Sequence, residues 1–414
     1  MPNVQAVTDK VARDMPLLFK NNCILASKVN RQFDKEFASS SGKIGYTLRV
    51  RQPNKFSVRT GATFNATDIA DPVTTITVQG QKHVDFLLSY ADLTMNTEDL
   101  TKRYVMPAMQ HLAAQADKEG FALYKKIANM VGTPGTAPTS TNAAKILMQA
   151  NAKITNQSAP TNDRHLIVSP DTQADLIDGY KGLFNNQSII GKQFKVGAFA
   201  EGILGFDDIS AAQAVATHTV GALGGTPQVD AAQGASSGAS YQTGTLNVKG
   251  ASNSITGWAK AGDVVTIDGV YDVNPLTKDP LTYLKQFVVL ADADSDGSGK
   301  VALSISPAIV YGGPYATCSA QAANSATITV STGTAALKSS QALAFHGDAL
   351  TFVMADLDMP TSGVIAASRM SVDDLSFRMI AYYNGDEDQF RVRIDGLWGW
   401  AALRPEWASR VALA

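Results

Sequence analysis

Apolar positions follow three rhythms along this chain, and each predicts a different kind of element. From residue 4 to 37, short apolar groups (Val4, Val7, Val11, then Leu17, Leu18 and Phe19) recur at near-helical spacing, with Pro16 in their midst. Proline lacks an amide donor and crowds the preceding turn. The stretch therefore reads as two short helices in an arm with too little apolar surface to fold alone. From Gly45 the period becomes two: Thr47, Arg49 and Arg51 alternate with Leu48 and Val50 until Pro53-Asn54. A matching run from Val73 to Leu88 alternates Ile76 and Val78 with Thr75 and Thr77. Between the runs lies a polar stretch, Lys55 to Pro72, containing Arg59, Gly61 and Asp71. Two strands joined by so long an excursion predict an extended hairpin. A loop of that length inside a compact domain serves something outside it.

The third rhythm is a long helical stripe. Thr97 followed by Glu98 and Asp99 reads as a helix start, because a capping oxygen and early acids suit exposed amides. Met109, Leu112, Ala113, Ala116, Gly120, Leu123, Tyr124, Ile127 and Met130 then recur at three and four residues. A helix from Pro107 to Met130 would be about 36 Å long, stopped by Gly132-Thr133-Pro134-Gly135. Two shorter helices are predicted, one from about Asn142 and one capped by Ser169 with Pro170 at its first position. His165 to Val168, between them, reads as a buried strand. This part is α+β.

Composition changes in the middle of the chain and changes back. Of thirteen arginines none falls between Arg164 and Arg369, and from about Gly221 to 345 the sequence is rich in Gly, Ser, Thr and Ala. Strand-like runs there (Val264 to Ile267, Phe287 to Leu290, Val301 to Ile305, Ala326 to Val330) are separated by Gly, Asp, Asn and Ser. That pattern predicts a small all-β barrel or sandwich. Ala231 to Gln242, nearly pure Ala, Gly and Ser, reads as a mobile loop. Three more strands follow (Ala349 to Val353, Asp374 to Tyr383, Gln389 to Asp395). The organisation is that of one domain inserted into a loop of another.

The bulk numbers bound the function. The chain has 414 residues, 45% hydrophobic and 17% charged, with 35 basic against 37 acidic residues and a net charge of −2. Such a balance offers no strong attraction to nucleic acid or anionic membrane. No apolar stretch approaches the roughly 20 residues a membrane helix needs. Met1 to Gln5 lacks the start of a signal peptide, so synthesis in a reducing cytosol is expected. Two cysteines, Cys23 and Cys318, make neither a disulfide framework nor a metal set.

Motifs for chemistry are weak. Gly234-Ala235-Ser236-Ser237-Gly238 fits the nucleophile-elbow pattern, but that chemistry needs a strand before the serine and a helix after it. Asp292-Ala293-Asp294-Ser295-Asp296-Gly297 resembles the start of a calcium loop, yet position twelve is Leu303 rather than the bidentate glutamate. Ser39 to Lys43 and Gly191-Lys192 are not phosphate loops, and the five histidines have no metal-ligand spacing. No catalytic residue, cofactor or metal is expected. Arg49, Arg51 and Arg59 on the hairpin are either a solvated face or guanidinium forks for carboxylates on a neighbour.

The order of elements resembles the major capsid proteins of tailed phages with the Hong Kong 97 fold, more specifically the coat proteins of phage P-22 and its relatives. Several runs carry the resemblance: Asp99 to Met130, ending Ile127-Ala128-Asn129-Met130; Gly205-Phe206-Asp207-Asp208; Gly262-Asp263-Val264-Val265 with Gly269-Val270; and Leu397-Trp398-Gly399-Trp400 to Arg404-Pro405-Glu406. It implies an N-terminal arm at 1–44, an extended hairpin (E-loop) at 45–90 and the spine-helix region of a P-domain at 91–135. An A-domain at 136–220, an inserted β domain at 221–345 and return strands completing the A- and P-domains at 346–414 follow. It further implies a virion protein that assembles non-covalently through pentamers and hexamers in the host bacterial cytoplasm. A scaffolding protein and portal would be partners, and packaged double-stranded DNA a weak, non-specific one. Arg49, Arg51, Arg59, Asp71, Arg404 and Glu406 are the candidate contacts between copies. The alternatives are another β-decorated structural or adhesion protein and a hydrolase using Ser236.

Overall fold

A computed structural model describes residues 2–38, 47–58, 60–62, 72–78, 80–88, 101–180, 202, 204–238, 240–385 and 389–413. The chain divides into two compact units. Met1–Val50, Thr75–Gly120 and Thr351–Ala401 form the first, and Arg51–Thr74, Phe121–Leu350 and Ala402–Ala414 the second.

In chain order the elements open with α1 (Pro2–Asn22), α2 (Asp34–Ala38), β1 (Thr47–Arg51), β2 (Val73–Thr77), β3 (Lys82–Leu88) and α3 (Met106–Phe121). There follow β4 (Met130–Val131), α4 (Ala143–Asn156), β5 (Arg164–Val168), α5 (Pro170–Tyr180), β6 (Asp208–Ala211) and β7 (Thr217–Thr219). The middle of the chain holds β8 (Gly225–Val229), β9 (Gly244–Ala251), β10 (Val264–Val273), β11 (Pro280–Val289), β12 (Val301–Ser306) and β13 (Ile328–Val330). The last six strands are β14 (Lys338–His346), β15 (Leu350–Ala355), β16 (Ala366–Val372), β17 (Leu375–Asn384), β18 (Gln389–Ala402) and β19 (Ala408–Leu413).

The first unit is built on the sheet β15-β18-β17-β16, with β3 paired to β18. α1 runs unbroken through Pro16, where two short helices are expected from the sequence. Ala12, Met15 and Phe19 are fully buried at helical spacing. The Phe19 ring packs 4.8 Å from Phe377 and 6.1 Å from Trp398. Burial of that stripe outweighs the one hydrogen bond that proline forfeits. Asp117, on α3, accepts from the Ile24 amide at 2.8 Å and the Ala26 amide at 3.3 Å, fixing the chain after α1. Gly120 leaves the space that Leu25 and Trp400 fill, since a Cβ there would lie 2.6 and 2.7 Å from them.

The long helix is shorter than its apolar stripe. A π-helical turn, Thr101–Val105, leads into α3, and a 3₁₀ turn, Ala122–Lys126, ends it at Ile127, whose backbone is extended. Met130 and Val131 instead pair in parallel with Arg410 and Val411. The stripe continues past the helix because a buried strand needs apolar residues as much as a helix face does. The proposed start at Thr97 to Asp99 lies outside the described residues.

The second unit contains two sheets. One has the order β4-β19-β14-β5-β6, with β7 also on β14. Ala143, Ile146, Leu147, Ala150 and Ile154 of α4 cover it through Leu166, Val168, Ala344 and Val411. Ser169 caps α5 as expected, its hydroxyl accepting from the Thr172 amide at 3.2 Å. Buried Arg164 donates to the carbonyls of Pro160 (2.7 Å) and Ala159 (2.9 Å), holding the turn after α4. Asp207, of the Gly205 to Asp208 run, accepts the Arg164 amide at 3.0 Å just ahead of β6. β14 shares the arginine-free composition of the insertion yet pairs with β5, β7 and β19.

The other sheet is the insertion, with the order β13-β10-β11-β12-β9-β8. Its edges meet: Val229 N donates to Ala326 O at 3.0 Å, Ser325 N donates to Val229 O at 3.0 Å, and Gln228 bridges Thr327. The closure removes the free edges that an open sheet would present. Val301, Leu303 and Ile305 point inward while Ala302 and Ser304 are exposed, so β12 shows the period-two burial of a barrel strand. Trp258 and Phe287 fill the core with them. The Ala/Gly/Ser stretch expected to be a mobile loop is pinned. Gln233 N donates to Ala322 O at 2.9 Å, Tyr311 N donates to Ala235 O at 3.0 Å, and Tyr241 is buried. Backbone pairing does there what the side chains are too small to do.

Candidate assembly surface

The predicted hairpin appears as the two-stranded sheet β1-β2. The run from Val73 to Leu88 is not one strand but two, because β3 pairs with β18 instead. On β1 the residues Thr47, Arg49 and Arg51 are exposed and Leu48 and Val50 half-buried, as the alternation requires. Beyond Pro53 the exposed residues turn apolar, with Phe56 65% and Val58 97% exposed. Large apolar groups this open to water at the start of a loop suit a surface that is covered on association. Arg59 and Asp71 lie outside the described residues.

The root of the hairpin is held firmly. Gln52 donates through Nε2 to Thr74 Oγ1 (3.1 Å) and to the Leu403 carbonyl (2.7 Å), and its amide donates to Pro72 O at 2.7 Å. From the insertion, Tyr315 donates to Asn54 Oδ1 at 3.0 Å and Gln242 to Thr74 Oγ1 at 3.2 Å. The Lys55 ammonium sits 4.4 Å from the centre of the Tyr241 ring, which stacks on Tyr315 at 5.4 Å. Cation–π contact of this kind strengthens as water is removed.

Arg404 and Glu406 flank the same corner. The Arg404 guanidinium lies over the Trp407 ring at 4.1 Å, and the Glu406 carbonyl accepts from Asn129 Nδ2 at 3.1 Å. Both are half-buried. Four lysines converge there that no sequence motif singles out: Lys55, Lys153, Lys278 and Lys285. Lys285 pairs with Asp272 at 2.8 Å, and the other oxygen of Asp272 accepts from Gln157 at 3.0 Å. Lys153 donates to Gln286 and lies over the Tyr283 ring. Burial pushes Lys153 down to about 8. Burial, then the charge of Lys55, pushes Lys278 down to about 8. The four come from the hairpin root, α4 and the turn and strand of the insertion, so no local spacing could announce them.

The chemical motifs dissolve into structure. Ser236 is exposed on the β8–β9 connection, and the next described element is a strand rather than a helix. Asp292, Asp294 and Asp296 are occupied by amides: those of Ala261 (2.8 Å), Gly257 (2.6 Å), and Ser298 and Lys300 (2.8 Å each). The Lys300 and Ser298 amides hold the Asp296 carboxyl below the usual carboxylate range. Among the described residues no cluster of His, Cys, Asp or Glu could hold a metal. Cys23 and Cys318 are buried free thiols, each pushed up by burial.

One polar network the sequence does not announce is fully enclosed. Tyr124 Oη meets His218 Nδ1 at 3.1 Å, His218 Nε2 meets Asp263 Oδ1 at 2.8 Å, and Arg410 donates to the Gly262 carbonyl at 2.8 Å. His218 is 2% exposed and Asp263 and Arg410 not at all. Burial pushes Arg410 down to about 10. The chain of groups fastens the insertion (Gly262, Asp263) to β7 and β19.

The P22 coat protein family (gene protein 5) matches residues 3–410. The chain belongs to that family. It is accordingly a coat, or major capsid, protein of a tailed bacteriophage, and its place is the capsid of the virion. No curated protein matches it. A solved structure of Mycobacterium phage Che8 is similar at a TM-score of 0.46 and 12% identity, covering 94% of this chain and 90% of that one. The capsid structure of Cyanophage P-SCSP1u gives 0.44 and 12%, covering 91% and 85%. A virus-like particle from Pyrococcus furiosus gives 0.41 and 8%, covering 98% of both chains. The Tyr124–His218–Asp263 chain is internal bracing of the coat protein.

Proposed function

We propose that copies of this coat protein assemble non-covalently, through pentamers and hexamers, into an icosahedral shell that encloses double-stranded DNA. A scaffolding protein and a portal would take part in a precursor shell that expands as DNA enters. The family match over residues 3–410 carries this reading. The anchored hairpin supports it. A loop whose root is tied by Gln52, Asn54 and Lys55 while Phe56 and Val58 stand in water is built to deliver apolar and cationic groups to a neighbour. Near-identical subunits that make such head-to-tail contacts close rings, and repetition makes the stability of the shell collective.

Arg49, Arg51, Arg59 and Asp71 on the hairpin, with Arg404 and Glu406 at its root, are the proposed contacts between copies. The net charge of −2 fits a container that touches DNA weakly, since tight binding follows from many phosphate-neutralising cations. Expression with the cognate scaffold and sedimentation through sucrose tests the reading. A fast fraction of uniform particles is expected; a small oligomer in every fraction would overturn it.

A further inference from the structure

Among the described residues, Lys285 is the one lysine of the corner at the hairpin root with an ion pair of its own. Lys278 is fixed by its backbone: it has φ +66°, and its amide donates to Asn274 O at 2.9 Å within the β10–β11 turn. Its Nζ is shielded from solvent and has no hydrogen-bond partner. Lys55 stands close enough to act on it electrostatically. Asp272 serves Lys285 and Gln157, and Glu406 is the acid that acts on Lys55. An ammonium withdrawn from water beside a second ammonium, with no acceptor of its own, is costly until an anion arrives.

We propose that this corner, formed by Lys55 and Lys278, receives a carboxylate from a second copy of the chain when subunits associate. The whole chain carries 37 acidic against 35 basic residues, so a cationic excess here is matched by an acidic excess elsewhere on every copy. Each subunit then bears both halves of a head-to-tail contact, the arrangement that closes a ring. The corner lies at the root of the hairpin, so the pairing would fix the direction in which the loop leaves its own subunit. The inference rests on the assembly reading above and adds to it a named receptor and the chemistry of its ligand.

The test uses shells grown from equal amounts of ¹⁵N-labelled and unlabelled protein, treated with a carbodiimide. The reagent joins an amine to a carboxylate only where they touch, forming an amide with loss of water. Mass spectrometry is expected to find Lys278 or Lys55 joined to an Asp or Glu peptide of the other isotope in shells, and no such mixed pair in unassembled protein. Shells in which both lysines couple only within one copy, or not at all, would overturn the inference and leave the assembly reading standing. Failure to form shells at all would remove the assembly reading first. Inorganic phosphate supplies a further arm. If phosphate alone protects Lys278 from acetylation in unassembled protein, and shells show no mixed pair, the corner takes a phosphate and the inference fails. Lys278→Met, which keeps the apolar stem, is expected to melt like the parent and to need about tenfold more protein to form shells. An unchanged threshold would count against the pairing.

Discussion

Asp263 shows how much one buried carboxylate can organise. Its two oxygens accept from His218 (2.8 Å), Thr332 (3.1 Å) and the amides of Gly221 (3.2 Å) and Lys260 (2.7 Å). Removing them at once strands donors that cannot reach water. Asp263→Ala is expected to lower the unfolding free energy by about 3–5 kcal/mol, read from urea titration of unassembled protein. A loss under about 1 kcal/mol would mean that the network is dispensable. Asp34 makes the opposite kind of statement. Burial, the largest cause, pushes its carboxyl up to about 6, against the pull of Arg31 and the Met354 amide. A raised folded-state value means the folded chain holds the proton more tightly. Its stabilising share is therefore complete below about pH 4, the unfolded value, and is lost as pH rises through about 6. The difference is about 2–3 kcal/mol. The Asp34→Asn variant has no proton to lose there, so it should gain on the parent by that amount between about pH 4 and about pH 7. A gap that stays constant across the window would contradict the assignment.

At the scale of elements, the proposed assembly asks most of the hairpin. Arg49 and Arg51 share the exposed face of β1. The Arg49→Ala/Arg51→Ala double variant is expected to leave the melting of the unassembled subunit within about 2 °C, while reducing the particle fraction several-fold; normal assembly with normal heat resistance would return these residues to the role of a solvated face. Period-two alternation made β1 legible from sequence, because half-buried strands must alternate, and short β-type runs between turn residues did so for β10 to β13. Capping chemistry did the same for α5 at Ser169. The end of α3 was not legible, since Ile127 and Met130 keep the helical rhythm while serving a strand. Pro16 misled for a related reason. Its cost is local, and the buried Ala12, Met15 and Phe19 that offset it become visible only with the sheet in place. Several strands carry no such signal, β16 and β19 among them: one mixes Arg369 and serines with its apolar positions, and the other buries Ser409 and Arg410. The lysine corner could not be read at all, because Lys55 and Lys278 lie more than half the chain apart in sequence.

The whole molecule combines a composition break with a structural one. Within the arginine-free middle of the chain, β8 to β13 close on themselves as a barrel through Gln228 and Thr327, and their turn, aromatic stack and Gly262-Asp263 segment reach the hairpin root, α4 and β19. An inserted domain wired in this way can brace its host and present a receiving surface to another copy. The proposed second role depends on the hairpin lying across a neighbour. Electron microscopy of the fast-sedimenting particles, at a resolution that traces the backbone, tests this most directly. Closed icosahedral shells are expected in which the segment beyond Pro53 crosses onto an adjacent subunit. Shells in which that segment folds back on its own chain, or a uniform small oligomer even with scaffold present, would contradict it.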